Sequence, residues 1–177
     1  TYKTPYGDVL TGWRKQLKYK KFKFCGVQHA HYSIGVAIVD LSWAGHGFFY
    51  VYDHQSEKVV EWNAVQPFGL KTQLDEQPLF SHSYFKKSGY QFEMQHANGV
   101  RYIQVTKNGD VLLKAHITCE GTDPLSMCSP TGINGWTYTQ KQTTLSVEGF
   151  FIDPNQQRIE FIILECNSFN FLSLFLT

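Results

Sequence analysis

The sequence has almost no excess of charge of either sign. Its 16 Lys and Arg residues are balanced by 15 Asp and Glu residues, which gives a formal net charge of +1 at pH 7. Nucleic-acid-binding domains usually present a basic surface to the phosphate backbone, so we expect no nucleic-acid partner. One basic run, residues 14–23, has the composition of an anion-contacting surface, but a solvated loop and a lysine-guarded edge strand explain it more simply.

The sequence also lacks the apolar run of about 20 residues that spans a bilayer. Its apolar end, residues 169–176, is far too short for that, and we expect it to pack on the core or on a continuation of the chain. No signal peptide precedes the first predicted strand. These absences predict a soluble, cytoplasmic protein without a transmembrane segment.

None of the four cysteines belongs to a Cys-x-x-Cys pair, which excludes zinc-ribbon and thioredoxin-type motifs. A disulfide between Cys119 and Cys128 would close the loop that they bracket. Partly buried thiols are the alternative, because a chain of 177 residues buries a core without covalent staples. The spacing alone leaves both states open.

Motifs for cofactor binding and nucleophilic catalysis are missing as well. The sequence has no Gly-x-Ser-x-Gly elbow, Walker loop or Gly-x-Gly-x-x-Gly turn. The pattern most like a metal motif is His29-Ala30-His31, whose two imidazoles would project from the same side of a strand. Ile34 to Val36 stand where a carboxylate ligand would follow. We therefore expect no metal and no cofactor.

Aromatic residues, by contrast, make up 16% of the chain, and bulky rings favour pleated sheets. Asn98-Gly99 and Asn108-Gly109 are strong hairpin signals, because type I′ turns need positive φ at both central residues. Residues 91–96, 100–106 and 111–119 flank these pairs, and apolar positions alternate most clearly in the first and last. This pattern predicts an antiparallel meander of three strands.

Similar patterns elsewhere predict an all-β fold with little helix. The expected architecture is an antiparallel, lipocalin-like β-barrel or a strongly curved sheet of about 8–10 strands. The predicted strands cover residues 20–27, 31–41, 46–53, 58–63, 81–86, 91–96, 100–106, 111–119, 138–152 and 158–166. Long loops are predicted at 64–79 and 121–135. We divide the chain into an N-terminal extension (1–18), a barrel-like domain (19–166) and an apolar C-terminal tail (167–177).

A barrel of this size has room for one small ligand, and a core filled by its rings is the equal alternative. Residues 136–141 alternate so that Trp136 and Tyr138 occupy one face and Lys141 the other. A Lys inside a barrel needs a partner, so Lys141 is a candidate polar anchor, with an exposed strand Lys as the equal alternative. The predicted ligand-binding residues are Trp43, Phe48, Tyr50, Trp62, Trp136, Tyr138, Lys141 and His31.

A family resemblance is carried, in order, by Trp13-Arg14-Lys15, Ile34 to Gly45, Cys128 to Gly132, Tyr138 to Lys141 and Val147 to Gly149. Together these segments resemble an uncharacterised, mainly bacterial family, domain of unknown function 2804. The family has no assigned activity. The resemblance implies similarity to double lipocalin-like barrel proteins, which include carotenoid hydratases and tocopherol cyclases. It also implies that this chain corresponds to the first of two barrels or to a truncated version.

Three functions are consistent with these observations. The first is binding of a hydrophobic small molecule in the barrel. The second, implied by the resemblance, is an acid-catalysed hydratase or cyclase that acts on a lipid or isoprenoid. Protonation of a double bond needs a buried carboxylic acid, and Asp40 is the candidate catalytic residue, unless it only caps its strand. The third is a structural half-domain that pairs with a second barrel or with another copy of itself.

Overall fold

The computed structural model describes residue 17 and residues 19–77, 80–119, 121, 123–131 and 135–174, of which 131, 135 and 162–174 are described by backbone alone. The predicted N-terminal extension lies outside the described residues except for Leu17. Strands dominate the described part. They are β1 (Tyr19–Gln28), β2 (Tyr32–Asp40), β3 (Ala44–Asp53), β4 (Lys58–Pro67), β5 (Thr72–Gln73), β6 (Ser81–Lys87), β7 (Tyr90–Ala97), β8 (Val100–Lys107), β9 (Asp110–Thr118), β10 (Leu125–Thr131), β11 (Gly135–Ile152) and β12 (Arg158–Leu174).

The strands form one strongly curved antiparallel sheet in the order β4-β3-β2-β1-β12-β11-β9-β8-β7-β6-β5, and β10 pairs with the first part of β11. The prediction of an all-β, barrel-like fold is therefore confirmed. Two strands were not predicted, β5 and β10, and both lie in the segments expected to be long loops. The side chains of β10 are mostly exposed on both faces, so the alternation that signals a half-buried strand is missing there.

The meander of β7, β8 and β9 turns at the two Asn-Gly pairs, as predicted. Asn98 and Gly99 have φ values of 53° and 73°, and Asn108 and Gly109 have φ values of 53° and 96°. Positive φ at both central residues is the requirement of a type I′ turn. These turns fix the register of the meander.

The curvature of the sheet brings β3 face to face with β6 and β7. Gly47 on β3 allows this approach, because a Cβ atom there would lie only 2.6 Å from the Phe92 ring and 2.8 Å from the Phe85 ring. Trp62 on β4 stacks on Phe49, with ring centroids 4.9 Å apart. The interior at this level is filled by buried phenylalanines, namely Phe49, Phe85, Phe92, Phe151 and Phe161.

The basic run enters the middle of the sheet. β1 has β2 on one side and β12 on the other, so the interpretation of this segment as an edge strand is wrong. Lys21 and Lys23 share a face of β1 with the buried residue Cys25. The composition of a lysine-rich strand suggests exposure to solvent, but composition does not show which face of the strand is buried. In β1 the inner face carries two of the lysines, Lys21 and Lys23.

The backbone of the predicted apolar tail continues β12 as far as Leu174. Residues 168–174 pair with both β1 and β11. Elsewhere, Cys119 is buried and Cys128 is exposed, and the two do not form a disulfide with each other. Within the ranges given above, no helix combines the length and apolar character needed to cross a membrane.

Candidate functional site

A cleft of about 300 Å³ opens at the end of the barrel where β1 begins and β2 ends. Lys21 and Asp40 are register partners on these strands. Both lie on the inner face of the sheet. Lys21 is on the same face of β1 as buried Cys25, and Asp40 is on the same face of β2 as buried Ile38. The cleft is therefore the mouth of the barrel interior. It is lined by Tyr19, Lys21, Asp40, Ser42, Phe68 and Gly69.

Large apolar side chains surround this mouth and are exposed to solvent. Trp43 in the β2–β3 turn is 58% exposed, and Phe68 in the β4–β5 turn is 77% exposed. The two turns touch, because the Phe68 amide donates a 2.7 Å hydrogen bond to the Trp43 carbonyl. Leu17 and Leu70 are exposed as well. Single exposed apolar residues are common, but a cluster on adjoining segments marks a contact surface. We call Leu17, Trp43, Phe68 and Leu70 the apolar rim.

Several residues near the rim have the left-handed backbone conformation. Ser42 has a φ of 71°, Phe68 of 59° and Lys71 of 52°. This conformation costs a residue with a Cβ atom about 1–2 kcal/mol. Tight turns require this conformation, as they do at Asn98 and Asn108.

The polar floor of the cleft is built around Asp40. Its Oδ1 atom accepts a 2.8 Å hydrogen bond from the Ser42 amide, and the Ser42 hydroxyl donates a 2.6 Å hydrogen bond to the Tyr19 carbonyl. Gly69 approaches Asp40 closely, since a Cβ atom at Gly69 would lie 3.3 Å from Oδ1. The φ of Gly69 is +57°, so a glycine suits both the turn and the approach.

Two lysines flank this floor with defined partners. Lys21 forms a 3.1 Å ion pair with Glu76 and donates a 3.1 Å hydrogen bond to the Leu74 carbonyl. Lys20 donates hydrogen bonds to the carbonyls of Leu17 and Leu41. Burial lowers the pKa of Lys20, and the charge of Asp40 opposes that shift. The mouth thus holds two lysines beside two carboxylates, Asp40 and Glu76.

A second pair of cations lies deeper on the same inner face. Lys23 follows Lys21 on β1, and Arg101 on β8 is only 7% exposed. Burial lowers the pKa of Lys23 to about 8; the charge of Asp75 raises it, and the charges of Arg101 and Lys21 lower it further. Lys23 and Arg101 thus both occupy inward-facing strand positions. Arg101 donates a 3.2 Å hydrogen bond to the side-chain oxygen of Gln142 on β11.

Some of the predicted site residues lie at this end of the barrel. Asp40 lines the cleft, and Trp43 belongs to its rim. Trp136 and Tyr138 are half-buried on β11, on the same face as buried Gln140. Their register partners on β12 pair in turn with Tyr19 and Lys21 on β1. Trp136 and Tyr138 thus lie on strand positions level with the cleft.

The structure places the other predicted residues elsewhere. Phe48 and Tyr50 are half-buried on the outer face of β3, Trp62 is buried in the ring-filled core, and Lys141 is exposed on the opposite face of β11 from Gln140. His31 is exposed in the turn between β1 and β2, at the far end of the barrel. These residues are not brought together with Asp40.

Sequence reasoning missed Lys23, Arg101 and Phe68. The alternation of apolar residues along β8 offers a signal for Arg101, because Arg101 shares a strand face with Ile103 and Val105, whose side chains are buried. Lys23 was concealed in a run that reads as a solvated surface. Phe68 lies in a predicted loop, where periodicity carries no information about exposure.

The cleft combines cationic and apolar groups. In the described part of the chain, no three His, Cys, Asp or Glu residues are grouped so that they could hold a metal ion. The available groups are ammonium and guanidinium donors, one cleft carboxylate and apolar rings. Such a set can bind an apolar molecule and orient a polar or charged group on it.

Comparisons with known proteins define the family but not a function. No curated protein and no solved structure gives a significant match to the chain. The lipocalin-like resemblance of the barrel therefore stays a prediction. The family model described as Domain of unknown function (DUF2804) matches residues 6–169, which is most of the sequence. The chain belongs to this family.

Proposed function

We propose that this domain binds a small molecule with a hydrophobic body at the mouth of the barrel. The observation that carries the proposal is the exposure of Trp43 and Phe68 on adjoining turns around a cleft of about 300 Å³. Small-molecule sites are usually concave, with apolar walls and a few polar groups that set the orientation of the ligand. The rim and the floor of this cleft supply both components.

The energetics of Phe68 support this proposal. Its ring is 77% exposed and its backbone is left-handed. The conformation costs about 1–2 kcal/mol, and leaving a large apolar side chain in water forgoes about 1.5–3 kcal/mol of burial energy. The left-handed backbone serves the turn that joins β4 and β5, but the exposure of the ring does not benefit the folding of the free domain. A ligand that covers the Phe68 ring would restore most of this burial energy.

Acid catalysis by Asp40 is the second candidate function. The position of Asp40 in the cleft favours it, because a bound molecule would reach the carboxyl group. The hydrogen bond from the Ser42 amide to Oδ1 favours the other interpretation, in which Asp40 caps the end of β2. Binding therefore has the stronger support. The variant Asp40→Asn separates the two roles: a catalyst loses turnover and retains binding.

Contact with a second barrel, or with a second copy of this chain, is the third candidate. The apolar rim would then be buried against a protein rather than against a small molecule. Sedimentation velocity over a range of protein concentrations distinguishes these cases. A monomer at all concentrations that still binds an apolar probe supports the small-molecule proposal.

The direct test is a titration with Nile red, an uncharged apolar dye whose emission increases in apolar surroundings. We expect saturable binding that Phe68→Ser weakens by about tenfold, since the contact with a large apolar side chain is lost. The matched control is Val59→Ser, because Val59 is exposed too, at 58%, but lies on β4 near the far end of the barrel. Absence of binding, or an equal loss in both variants, would refute the proposal.

A further inference from the structure

A second cavity lies on the outer face of the sheet, over the meander of β7, β8 and β9. Its volume is about 220 Å³. Among the described residues, none lines both this cavity and the cleft at the mouth. Ile103 meets the cavity from below, because its own side chain is buried in the core. The outward-facing side chains around the cavity are those of Glu93, Gln95, Tyr102, Gln104, Lys114 and His116.

These side chains form two rows that cross the three strands. Each row consists of register partners, in the first row Gln95, Tyr102 and His116 and in the second row Glu93, Gln104 and Lys114. Adjacent strands lie about 4.8 Å apart, and residues two positions apart on one strand are about 7 Å apart. The two rows therefore cover roughly 10 Å by 7 Å. Strand pairing thus places all six groups within reach of one small ligand.

Tyr102 stands at the centre of the first row, on the middle strand, and is 42% exposed. The ring of His116 meets the ring of Tyr102 at an angle of 70°, with centroids 4.9 Å apart. This contact restrains the Tyr102 ring on one side and leaves much of its surface uncovered. The face of an aromatic ring is the negative part of its quadrupole, so it attracts C–H groups of a ligand. Tyr102 therefore offers a stacking platform at the cavity.

Glu93 is a fixed acceptor beside this platform. Its Oε1 atom accepts a 2.6 Å hydrogen bond from His82 Nε2, and its Oε2 atom accepts a 3.1 Å hydrogen bond from Gln91 Nε2. His82 and Gln91 stand outside the cavity and hold the carboxylate from there. Burial raises the pKa of Glu93, but the bonds from His82 and Gln91 outweigh it and lower the pKa overall. The carboxylate is therefore ionised at neutral pH and keeps lone pairs for a ligand.

The other polar side chains have hydrogen-bonding groups to spare. Within the part of the chain that the structure describes, no side-chain hydrogen bond or ion pair engages Gln95, Gln104 or Lys114. A primary amide is both donor and acceptor, as a hydroxyl group is, so the two amides match hydroxyl groups. Lys114 and Glu93 carry opposite charges, and the cavity therefore favours neither an anion nor a cation. These features select a neutral ligand with several hydroxyl groups.

We propose that this cavity binds one neutral saccharide ring, with a C–H face of the sugar stacked on Tyr102 and its hydroxyl groups hydrogen-bonded to Glu93, Gln95 and Gln104. A pyranose combines the two features that the cavity requires, an apolar face of C–H groups and a rim of hydroxyl groups. An anionic ligand would meet the charge of Glu93 at close range. The inference is independent of the proposed function, because no described residue belongs to both sites.

The alternative is a solvated outer face without a ligand, and a binding experiment decides between the two. The methyl pyranosides of glucose, galactose, mannose and N-acetylglucosamine are added to the protein and observed by saturation-transfer difference NMR. We expect at least one to bind saturably, with a dissociation constant on the order of 1 mM. Saturation should be strongest at the ring protons of one face of the sugar. Absence of saturable binding by every glycoside would overturn the proposal.

The variant Tyr102→Ala tests the stacking platform. We expect it to weaken glycoside binding by at least about tenfold, because the contact with the ring is lost. Tyr52→Ala is the matched control, since Tyr52 also packs beside a histidine, with its ring centroid 5.5 Å from that of His54, but lies on β3 outside the cavity. Equal losses in the two variants would overturn the assignment of the site.

The variant Gln104→Leu tests the polar contacts with little change in shape. We expect it to weaken glycoside binding by about fivefold, since one or two hydrogen bonds to the sugar are lost. The midpoint of thermal unfolding should stay the same, because the amide of Gln104 has no bond within the described part of the protein. Unchanged glycoside binding would overturn the proposed hydrogen bonds.

Amide chemical shifts locate the sugar. We expect the shifts that change on titration to lie on β7, β8 and β9, and Nile red binding to be unaffected by a saturating amount of the glycoside. Changes concentrated at the apolar rim, or displacement of Nile red, would place the sugar in the cleft and overturn the second site. Failure of the glycosides to bind would leave the proposed function at the mouth standing.

Two competitors define the ligand class. Adenosine also has a ring that stacks, and its full displacement of the glycoside would identify a nucleobase site and overturn the saccharide assignment. A trisaccharide that ends in the same sugar distinguishes a single ring from an extended glycan chain. We expect its affinity to lie within about threefold of that of the methyl glycoside. A gain of about tenfold or more would overturn the assignment to one ring.

Discussion

The ring of Phe92 lies directly against Gly47, so close that a Cβ atom on Gly47 would be 2.6 Å from Cδ2 of the ring. This contact joins β3 to β7 across the interior. We expect Gly47→Ala to lower the free energy of unfolding by about 1–3 kcal/mol, because the added methyl group overpacks the core. Urea denaturation measures the change. In the double variant with Phe92→Leu the two effects should not add fully, since the smaller side chain relieves the closer of the two ring contacts at this position. Strict additivity would show that the Phe92 contact is not limiting.

The β11–β12 turn depends on one buried carboxylate. Oδ1 of Asp153 accepts hydrogen bonds from the amides of Asn155 at 2.9 Å and Gln157 at 2.7 Å, and Oδ2 accepts a 3.4 Å bond from the Tyr32 hydroxyl. We expect Asp153→Ala to destabilise the domain by about 2–3 kcal/mol, because bonds to a buried charged group are lost. Thermal denaturation tests this. Exposed Asp123, replaced by Ala, should change stability by less than about 0.5 kcal/mol.

Lys23 should reduce the stability of the unliganded protein at neutral pH. Burial lowers its pKa from 10.5 to about 8. The unfolded chain therefore binds more protons than the folded chain between these values, so the contribution of this group to stability rises with pH across that interval. We expect Lys23→Met to be more stable than the wild type by about 1–2 kcal/mol at pH 7.

This difference should shrink as the pH rises from about 8 toward 10.5. Comparison of the two proteins by urea denaturation removes the contribution of other groups that titrate in this range. A difference that stays constant with pH would mean that Lys23 is not desolvated in the folded state.

The left-handed conformation of Phe68 predicts that a glycine there is stabilising. With its φ of 59° and its exposed ring, Phe68→Gly should raise the free energy of unfolding by about 1 kcal/mol. Val59→Gly, an exposed position on extended β4, should instead lower it by about 1 kcal/mol. Chemical denaturation of both variants gives the comparison. Destabilisation by both would mean that the Phe68 ring contributes to folding.

The walls of the barrel could be predicted from the sequence because their signals are local. Alternation along β7 and β9 and the Asn-Gly pairs between the strands specify a meander without reference to the rest of the chain. Strand β5 could not be predicted, since its two residues pair with β6 and have no pattern of their own.

The candidate site was only partly predictable, because it is made by tertiary placement. The end of a strand predicts Asp40 and the aromatic content predicts Trp43, and both residues lie at the mouth. No local pattern predicts the interior cations. Lys23 faces inward only because β1 lies between β2 and β12, and that pairing joins distant parts of the chain, which local composition does not encode.

The pairing of β1 with β12 also has a consequence for synthesis on the ribosome. β1 finds β2 at once, but its other hydrogen-bonding side is completed only when residues 165–174 have been made. Pairing two strands that are so far apart in the sequence requires the long segment between them to become ordered first. This slows folding and prolongs the exposure of partly paired strands. The side chains of Lys20, Lys21 and Lys23 give β1 a positive charge while it has not yet paired with β12. Repulsion between nascent chains would then discourage aggregation.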